Sequence, residues 1–503
     1  MQIEKRVVRF ILFVAFAVGI GAGCAAKSAR PQAVTPLSTL RAELATIFDA
    51  PTFERSIWGV LIQSVDTGDV LFAVNPTKLM MPASNLKILT LATSAERLGW
   101  DFTFETRLVT SGAIDGGVLK GDLIAIGSGD PSLGSRVGDS GRSMAAWADQ
   151  LWNAGIHTVE GRLIGDDNAF DDEGVGAGWS WDDLAYGYAA PVGALAFDEN
   201  AVELAIRSGA VAGSLGDIAL RPVDGGLVVD NHLMTSPPNG ESFLDLRRAP
   251  GSAHLTVRGA VPIGTPEFVR TVSIDNPTDF FLAAFQRALN ARGITVTGAT
   301  LDIDLVIPPP ETAAARVLVS HRSPPLSELA MPLMKVSRNL YGETLLKALK
   351  TQDGRAGSVE AGREAVVEVL RSWGISPDSV ILSDGSGLSR YNYVTVETLV
   401  SVLRHLANDP RHAVPFEATL PVAGRDGTLG NRMKGTIAEG NVHAKTGFFS
   451  NVRAISGYVR TRDNERLVFS IVANNSNASP AEIDRAADRA LERLAGFSRT
   501  LEP

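Results

Sequence analysis

Apolar positions along the chain fall into three textures. From Pro36 to Ala50, PLSTLRAELATIFDA sets Leu40, Leu44 and Ile47 on one face of a helix, with Ser38 or Thr39 placed to cap its N-terminus. SIWGVLIQSVDTGDVLFAVN follows as two apolar runs about DTGD, the pattern of a β-hairpin. In SNLKILTLATSAERLGW, Leu86, Leu89, Ala92 and Ala95 recur at helical spacing, and Leu91 and Leu98 widen the apolar face. That width predicts a mostly buried helix with Ser84 at its N-terminus.

Between Asp101 and Thr312 the pattern changes to short β-like runs broken by glycine and proline, such as GGVLKGDLIAIGSGDPSL and AHLTVRGAVPIG. Only MAAWADQLWNAG and DFFLAAFQRALNARG have helical spacing there. Residues 101–312 are therefore expected to form an inserted, mostly β region of one or two small domains, with Pro308 to Ala315 as the connection back. Helical spacing returns in PLSELAMPLMKVSRNLYGETLLKALK and GREAVVEVLRSWG, and the C-terminal part reads as three strands and a closing helix. The expected fold class is α/β. An antiparallel sheet carries the terminal helices beside an all-helical part, built from residues 35–100 together with 313–503.

Composition narrows the function. A chain of 503 residues exceeds one ordinary domain, and its net charge of −9 offers no basic face for a phosphate backbone, which excludes nucleic acid as a partner. At the N-terminus Lys5, Arg6 and Arg9 precede an apolar run from Phe10 to Ile20 and then small residues. This is an export signal, too short for a comfortable membrane span, expected to cover residues 1–24 and to send the protein to the periplasm or cell envelope. The single cysteine, Cys24, ends the segment in GAGC. That tetrapeptide resembles a bacterial lipoprotein signal, in which the cysteine becomes the lipidated first residue and anchors the protein to a membrane. Gly21 stands where leucine is usual, and ordinary cleavage within CAAKSA is the alternative. Either way the exported body has no cysteine for disulfides or thiol chemistry.

Three polar clusters carry candidate chemistry. Ser84 and Lys87 in MPASNLKIL lie one helical turn apart, so the amine can reach the hydroxyl, while the helix N-terminus can stabilise an oxyanion. Lys87 acts as a base only if burial or a neighbouring cation lowers its pKa from about 10.4. A lone Ser-x-x-Lys is expected about once by chance in a chain of this length. Ser337-Arg338-Asn339 adds a second hydroxyl and an amide. Lys445-Thr446-Gly447 adds a cation and a hydroxyl on a strand, with a glycine that lets a substrate backbone lie close.

Competing motifs fail. GDSG, Gly138 to Gly141, has no histidine upstream to serve a chymotrypsin-like serine, because the first of the seven histidines is His157. No Gly-x-Ser-x-Gly elbow is present. His443 shares a strand face with Lys445 and is the one histidine near the motifs. GDDNAFDDEG, Gly165 to Gly174, is acidic but lacks EF-hand spacing and reads as a turn-rich exposed loop.

The three clusters in this order resemble the signature of penicillin-binding proteins and serine β-lactamases. The chain is identified as a member of the D-alanyl-D-alanine carboxypeptidase and endopeptidase family known as class C low-molecular-mass penicillin-binding proteins. Ser84 and Ser337 lie 253 positions apart (337 − 84), matching the family's large insertion, and the blocks APVGALAFDEN, DGSGLSRYNYVT and LPVAGRDGTLGNRMKGT also match.

The resemblance implies a penicillin-binding-protein/β-lactamase-like transpeptidase domain that cleaves D-Ala-D-Ala ends or D-Ala-diaminopimelate cross-links of peptidoglycan stem peptides. It implies β-lactam antibiotics as inhibitors, and neither cofactor nor metal. Ser84 would be the nucleophile and Lys87 its base. Ser337 and Lys445 would complete the proton path, Asn339 would hold the substrate amide, and Thr446 with Lys445 would receive the terminal carboxylate. The N–H groups of Ser84 and Phe448 would form the oxyanion hole, and Gly447, the last residue of the third motif, would line the substrate site beside Phe448. Asp183 would meet the free amino group of the stem peptide, Tyr188 would form an aromatic wall, and Arg390 would bind a carboxylate. Ser450 or Asn451 stands where some relatives have glutamine. A β-lactamase or esterase of the same superfamily and a non-catalytic wall-binding scaffold are the alternatives.

Overall fold

A computed structural model describes residues 35–134, 142–222, 225–349 and 356–500. The export signal with Cys24, and Gly138 to Gly141, lie outside the described residues. Helix α1 spans Pro36–Phe48, and its cap is Thr35 rather than Ser38 or Thr39. Thr35 Oγ1 accepts from the Ser38 N–H at 3.1 Å and Ser38 Oγ accepts from the Thr35 N–H at 2.9 Å, a reciprocal capping box. Pro36 explains the earlier start, since the first helical position needs no N–H.

The central sheet contains strands β1 (Ile57–Ser64), β2 (Val70–Val74), β3 (His443–Phe449), β4 (Val452–Arg460) and β5 (Arg466–Asn474). Its order is β2-β1-β5-β4-β3, antiparallel throughout. The N-terminal hairpin thus docks beside the last strand of the chain, with β1 paired to β5 from Ile57 opposite Asn474 to Ser64 opposite Leu467.

Both faces are covered, which explains why β5 is buried along nearly its whole length instead of alternating. Leu40, Leu44 and Phe48 of α1 and the apolar stripe of the closing helix (Pro480–Ala495) pack on one face with Trp58, Val60, Phe469 and Ile471. The other face meets the helical part: α2 (Lys87–Leu98), α3 (Leu326–Lys335), α4 (Asn339–Ala348), α5 (Val359–Ser372) and α6 (Val396–Asn408). Among the described residues no helix is long and apolar enough to cross a membrane.

The chain between α2 and α3 is rich in strands, with two helices, Arg142–Asn153 and Pro277–Arg292, at the expected places. Trp147, Phe281 and Phe285 centre a separate core. The strand Arg316–Arg322, beyond the expected connection, pairs antiparallel with Glu105–Thr110. This region also enters the helical core through Phe104, Phe170, Val192 and Ala194. The acidic stretch Gly165 to Gly174 is consequently more than an exposed loop. Phe170 is buried, and Asp171 accepts from the buried Lys347 amine at 2.5 Å.

Candidate active site

Ser84 sits in a 3-10 turn, Ala83–Leu86, that runs directly into α2. The central sheet pins this turn from behind. Asn474 accepts from the Met81 N–H at 2.8 Å and donates to the Met81 carbonyl at 3.1 Å, while Asn85 Nδ2 donates to Ser456 Oγ at 2.7 Å. Ala83 is held at φ 46° and Ser337 at φ 64°, left-handed conformations that non-glycine residues adopt only where their surroundings enforce them.

The position of Gly447 adds a second reason for glycine there. A Cβ there would stand 2.8 Å from both the Pro82 carbonyl oxygen and the Ser84 nitrogen. Glycine is needed so that β3 can lie against the Ser84 turn, and it also lines the cleft.

Both lysines are buried beneath the cleft. Lys87 Nζ lies 3.0 Å from Ser84 Oγ, 2.7 Å from Asn339 Oδ1 and 2.7 Å from the Ser386 carbonyl oxygen. Burial lowers its pKa to about 7, against the opposing pull of the Asp384 and Glu343 carboxylates. Lys445 Nζ donates to Ser337 Oγ at 2.8 Å and to the Thr446 carbonyl at 2.7 Å. Burial, then the neighbouring Lys87, holds it well below the usual lysine range.

A layer of buried polar groups that sequence reading missed supports these lysines. Asp384 accepts from the Gly387 N–H at 2.8 Å, the Ser389 N–H at 2.5 Å, Asn392 Nδ2 at 2.7 Å and Trp179 Nε1 at 3.0 Å. Those bonds tie the Asp384–Asn392 loop to itself and to the inserted region. Glu343, on α4, accepts from the Gly385 and Ser386 N–H groups at 2.9 and 2.8 Å. Burial and then Asp384 raise its pKa to about 8, while those N–H donors pull the other way.

Above the lysines opens a cleft of about 650 Å³, lined by Ser84, Ser337, Asn339, Thr446, Gly447 and Phe448 together with Asp183, Tyr188 and Arg390. The three motifs and the three more distant positions therefore share one cavity. Asn339 Nδ2 donates to the Tyr188 carbonyl at 2.8 Å, which joins the second motif to the inserted region. Tyr188 OH donates to Asp183 Oδ1 at 2.7 Å, and its ring stacks on Tyr186 with centroids 5.5 Å apart. The Arg390 guanidinium lies 5.2 Å from the centroid of the Phe449 ring. Thr446 Oγ1 donates to Thr428 Oγ1 at 2.6 Å, which brings a further hydroxyl to the wall.

Other polar groups are engaged elsewhere. His443 Nδ1 lies 3.3 Å from Glu417 Oε1. Glu96, Asp409 and His412 converge on α2 and the end of α6, but Trp100 Nε1 donates to His412 Nδ1 at 3.2 Å, leaving the ring proton on Nε2 facing Glu96. Arg411 bonds both carboxylates, at 3.0 and 2.7 Å, where a metal ion would have to sit.

Residues 40–494 match the model of the D-Ala-D-Ala carboxypeptidase 3 (S13) family. The chain belongs to that family. It is 35% identical to a D-alanyl-D-alanine carboxypeptidase of Actinomadura sp. (strain R39) over 473 residues, 92% of this chain and 85% of the relative. The crystal structure of penicillin binding protein 4 (DacB) from Haemophilus influenzae superposes with a TM-score of 0.80 at 27% identity, covering 91% of this chain and 99% of that one. A second structure of the same protein, complexed with a β-lactam, gives a TM-score of 0.74 at 26% identity, with the same coverage.

Proposed function

We propose that the protein is a serine D,D-peptidase of peptidoglycan stem peptides, acting through an acyl-enzyme on Ser84 and acylated by β-lactams. The observation that carries this reading is the surroundings of the Lys87 amine. Asn339 Oδ1 and the Ser386 carbonyl can only accept hydrogen bonds. A neutral amine gives its two N–H bonds to them and turns its lone pair toward Ser84 Oγ, 3.0 Å away.

In this reading Ser84 Oγ attacks the carbonyl carbon of the penultimate D-alanine while Lys87 takes the hydroxyl proton. The Ser84 and Phe448 N–H groups receive the developing oxyanion. Thr446, with Thr428 and Lys445 beside it, receives the terminal carboxylate. The C–N bond breaks as the Lys445–Ser337 pair delivers a proton to the departing amine, and the proton held by Lys87 passes on to refill that pair, leaving Lys87 neutral again. Water, deprotonated by Lys87, then cleaves the ester and returns the proton to Ser84. Asp183, which accepts from the Tyr188 hydroxyl, would take the amino group of the third stem residue, and Arg390 its carboxylate.

The division of labour along the chain follows: residues 35–100 and the chain beyond Arg322 form the peptidase part, and the region between them shapes its cleft. Export by the N-terminal signal and anchoring through a lipidated Cys24 complete the proposal. Incubating the protein with benzylpenicillin and weighing it tests the reading. The expected result is one long-lived adduct that maps to Ser84 and is lost in Ser84→Ala; no adduct refutes it, and rapid release of hydrolysed drug would make it a β-lactamase.

A further inference from the structure

We infer that Glu343 is a positioning residue for the base: it grips the Gly385–Ser386 backbone so that the Ser386 carbonyl holds the Lys87 amine aimed at Ser84. This inference rests on the peptidase reading and deepens it.

Glu343 is 2% exposed and lies one turn into α4, on the helix that begins with Asn339. Each carboxylate oxygen takes one backbone N–H, from Gly385 at 2.9 Å and from Ser386 at 2.8 Å. The same peptide segment turns the Ser386 carbonyl to Lys87 Nζ at 2.7 Å, and Thr90 Oγ1 of α2 donates to the Gly385 carbonyl at 2.7 Å. One helix, α4, therefore supplies two of the three groups around the amine: Asn339 directly, and the Ser386 carbonyl through Glu343. The side chain cannot be replaced by an apolar one without leaving two buried N–H donors unpaired. Glutamine also fails, because its NH₂ would face one of them.

The charged groups facing Lys87 are Glu343 from α4, Asp384 from the loop after α5, and Lys445 from β3. The two carboxylates favour the ammonium form, while burial and Lys445 favour the neutral amine. Glu343 itself, raised to about 8, is mostly protonated where Lys87 titrates near 7, so its grip acts there through hydrogen bonds and its removal leaves the acid limb nearly in place.

The test is the second-order rate of acylation by a chromogenic cephalosporin from pH 5 to 9, in wild type, Glu343→Gln, Glu343→Asp and Thr90→Val. Glu343→Gln is expected to lose about ten-fold or more in rate, because its NH₂ meets a backbone N–H, with the acid limb nearly unmoved. Glu343→Asp keeps a carboxyl that can accept both N–H groups, so it should recover part of the rate that Glu343→Gln loses. Thr90→Val should slow acylation with an unmoved limb. A Glu343→Gln rate within about two-fold of wild type overturns the inference, and so does a Glu343→Asp rate no better than that of Glu343→Gln. Should Glu343→Gln fail to fold, Glu343→Asp decides, since a wild-type rate there shows that the grip is irrelevant. Absence of any acylation in wild type would instead refute the peptidase reading.

Discussion

Replacing Gly447 by alanine places a methyl group between two backbone segments that cannot rotate aside. The new Cβ would stand 2.8 Å from the Pro82 oxygen and the Ser84 nitrogen and 3.0 Å from the Asn85 nitrogen, about 0.6 Å inside the ordinary 3.4 Å contact. The Ser84 turn cannot retreat, because Asn85 and Met81 are bonded to Ser456 and Asn474 of the sheet. Strand β3 is paired with β4 along its length, so it must bow outward. Overpacking of this kind costs about 1–3 kcal/mol of stability.

The catalytic loss should be larger in proportion. A displaced oxyanion donor costs on the order of 10²-fold, and a shift of half an ångström removes much of it, so acylation should fall by about 10- to 100-fold. Gly496→Ala is the control, since its Cβ would find nothing nearer than the Glu492 carbonyl at 3.4 Å. Stopped-flow acylation and thermal melting of both variants check the reasoning. A Gly447→Ala protein that acylates within about two-fold of wild type would refute the close approach of strand and turn.

Three further outcomes follow from the same geometry. Because Lys87 must be neutral to accept the Ser84 proton and its pKa is lowered to about 7, acylation should rise with pH through about 7 and then level; a rate flat between pH 5 and 8 contradicts this. Between about 7 and the ordinary 10.5, the unfolded chain holds a proton on Lys87 that the folded protein does not, so wild-type stability from this group climbs with pH across that window. Lys87→Met should accordingly be inactive, and its stability relative to wild type, measured by chemical denaturation, should be most favourable at pH 6 and decline toward pH 10. Asp183→Ala should slow cleavage of stem peptides that carry a free amine on the third residue while leaving acylation by benzylpenicillin, which has no amine, within about two-fold; an equal loss on both would remove Asp183 from the amine pocket.

Much of the peptidase part could be read in advance because its signals are local. Ser84 and Lys87 are neighbours in sequence, and the hairpin, the terminal strands and the flanking helices announce themselves by period. Groups defined by distant partners could not be read. Glu343 looks like any helical glutamate until Gly385 and Ser386 are seen above it, and Asp384 needs Trp179, from a segment some 200 residues earlier, to reveal its role. Helix α6 keeps helical spacing at Val396, Leu399, Val400 and Leu403, but the turn-rich stretch just before it carries no cap signal as strong as that spacing. The first cap is ambiguous in the sequence because Ser38 and Thr39 are both good cap residues, and only the proline at position 36 favours Thr35. Strand Arg316–Arg322 carries no mark of its partner at Glu105–Thr110, so the edge of the insertion was drawn before it.

The interleaving of the two ends of the chain in one sheet sets an order of events during synthesis. A ribosome makes the serine 361 residues before the third-motif lysine (445 − 84), and β1 waits 402 residues (466 − 64) for β5, its neighbour on one side. Until the last hundred residues arrive, the nucleophile has no companion strand beside it and no second amine beneath it. Premature termination anywhere upstream therefore yields a fragment that cannot damage the wall of the cell that made it.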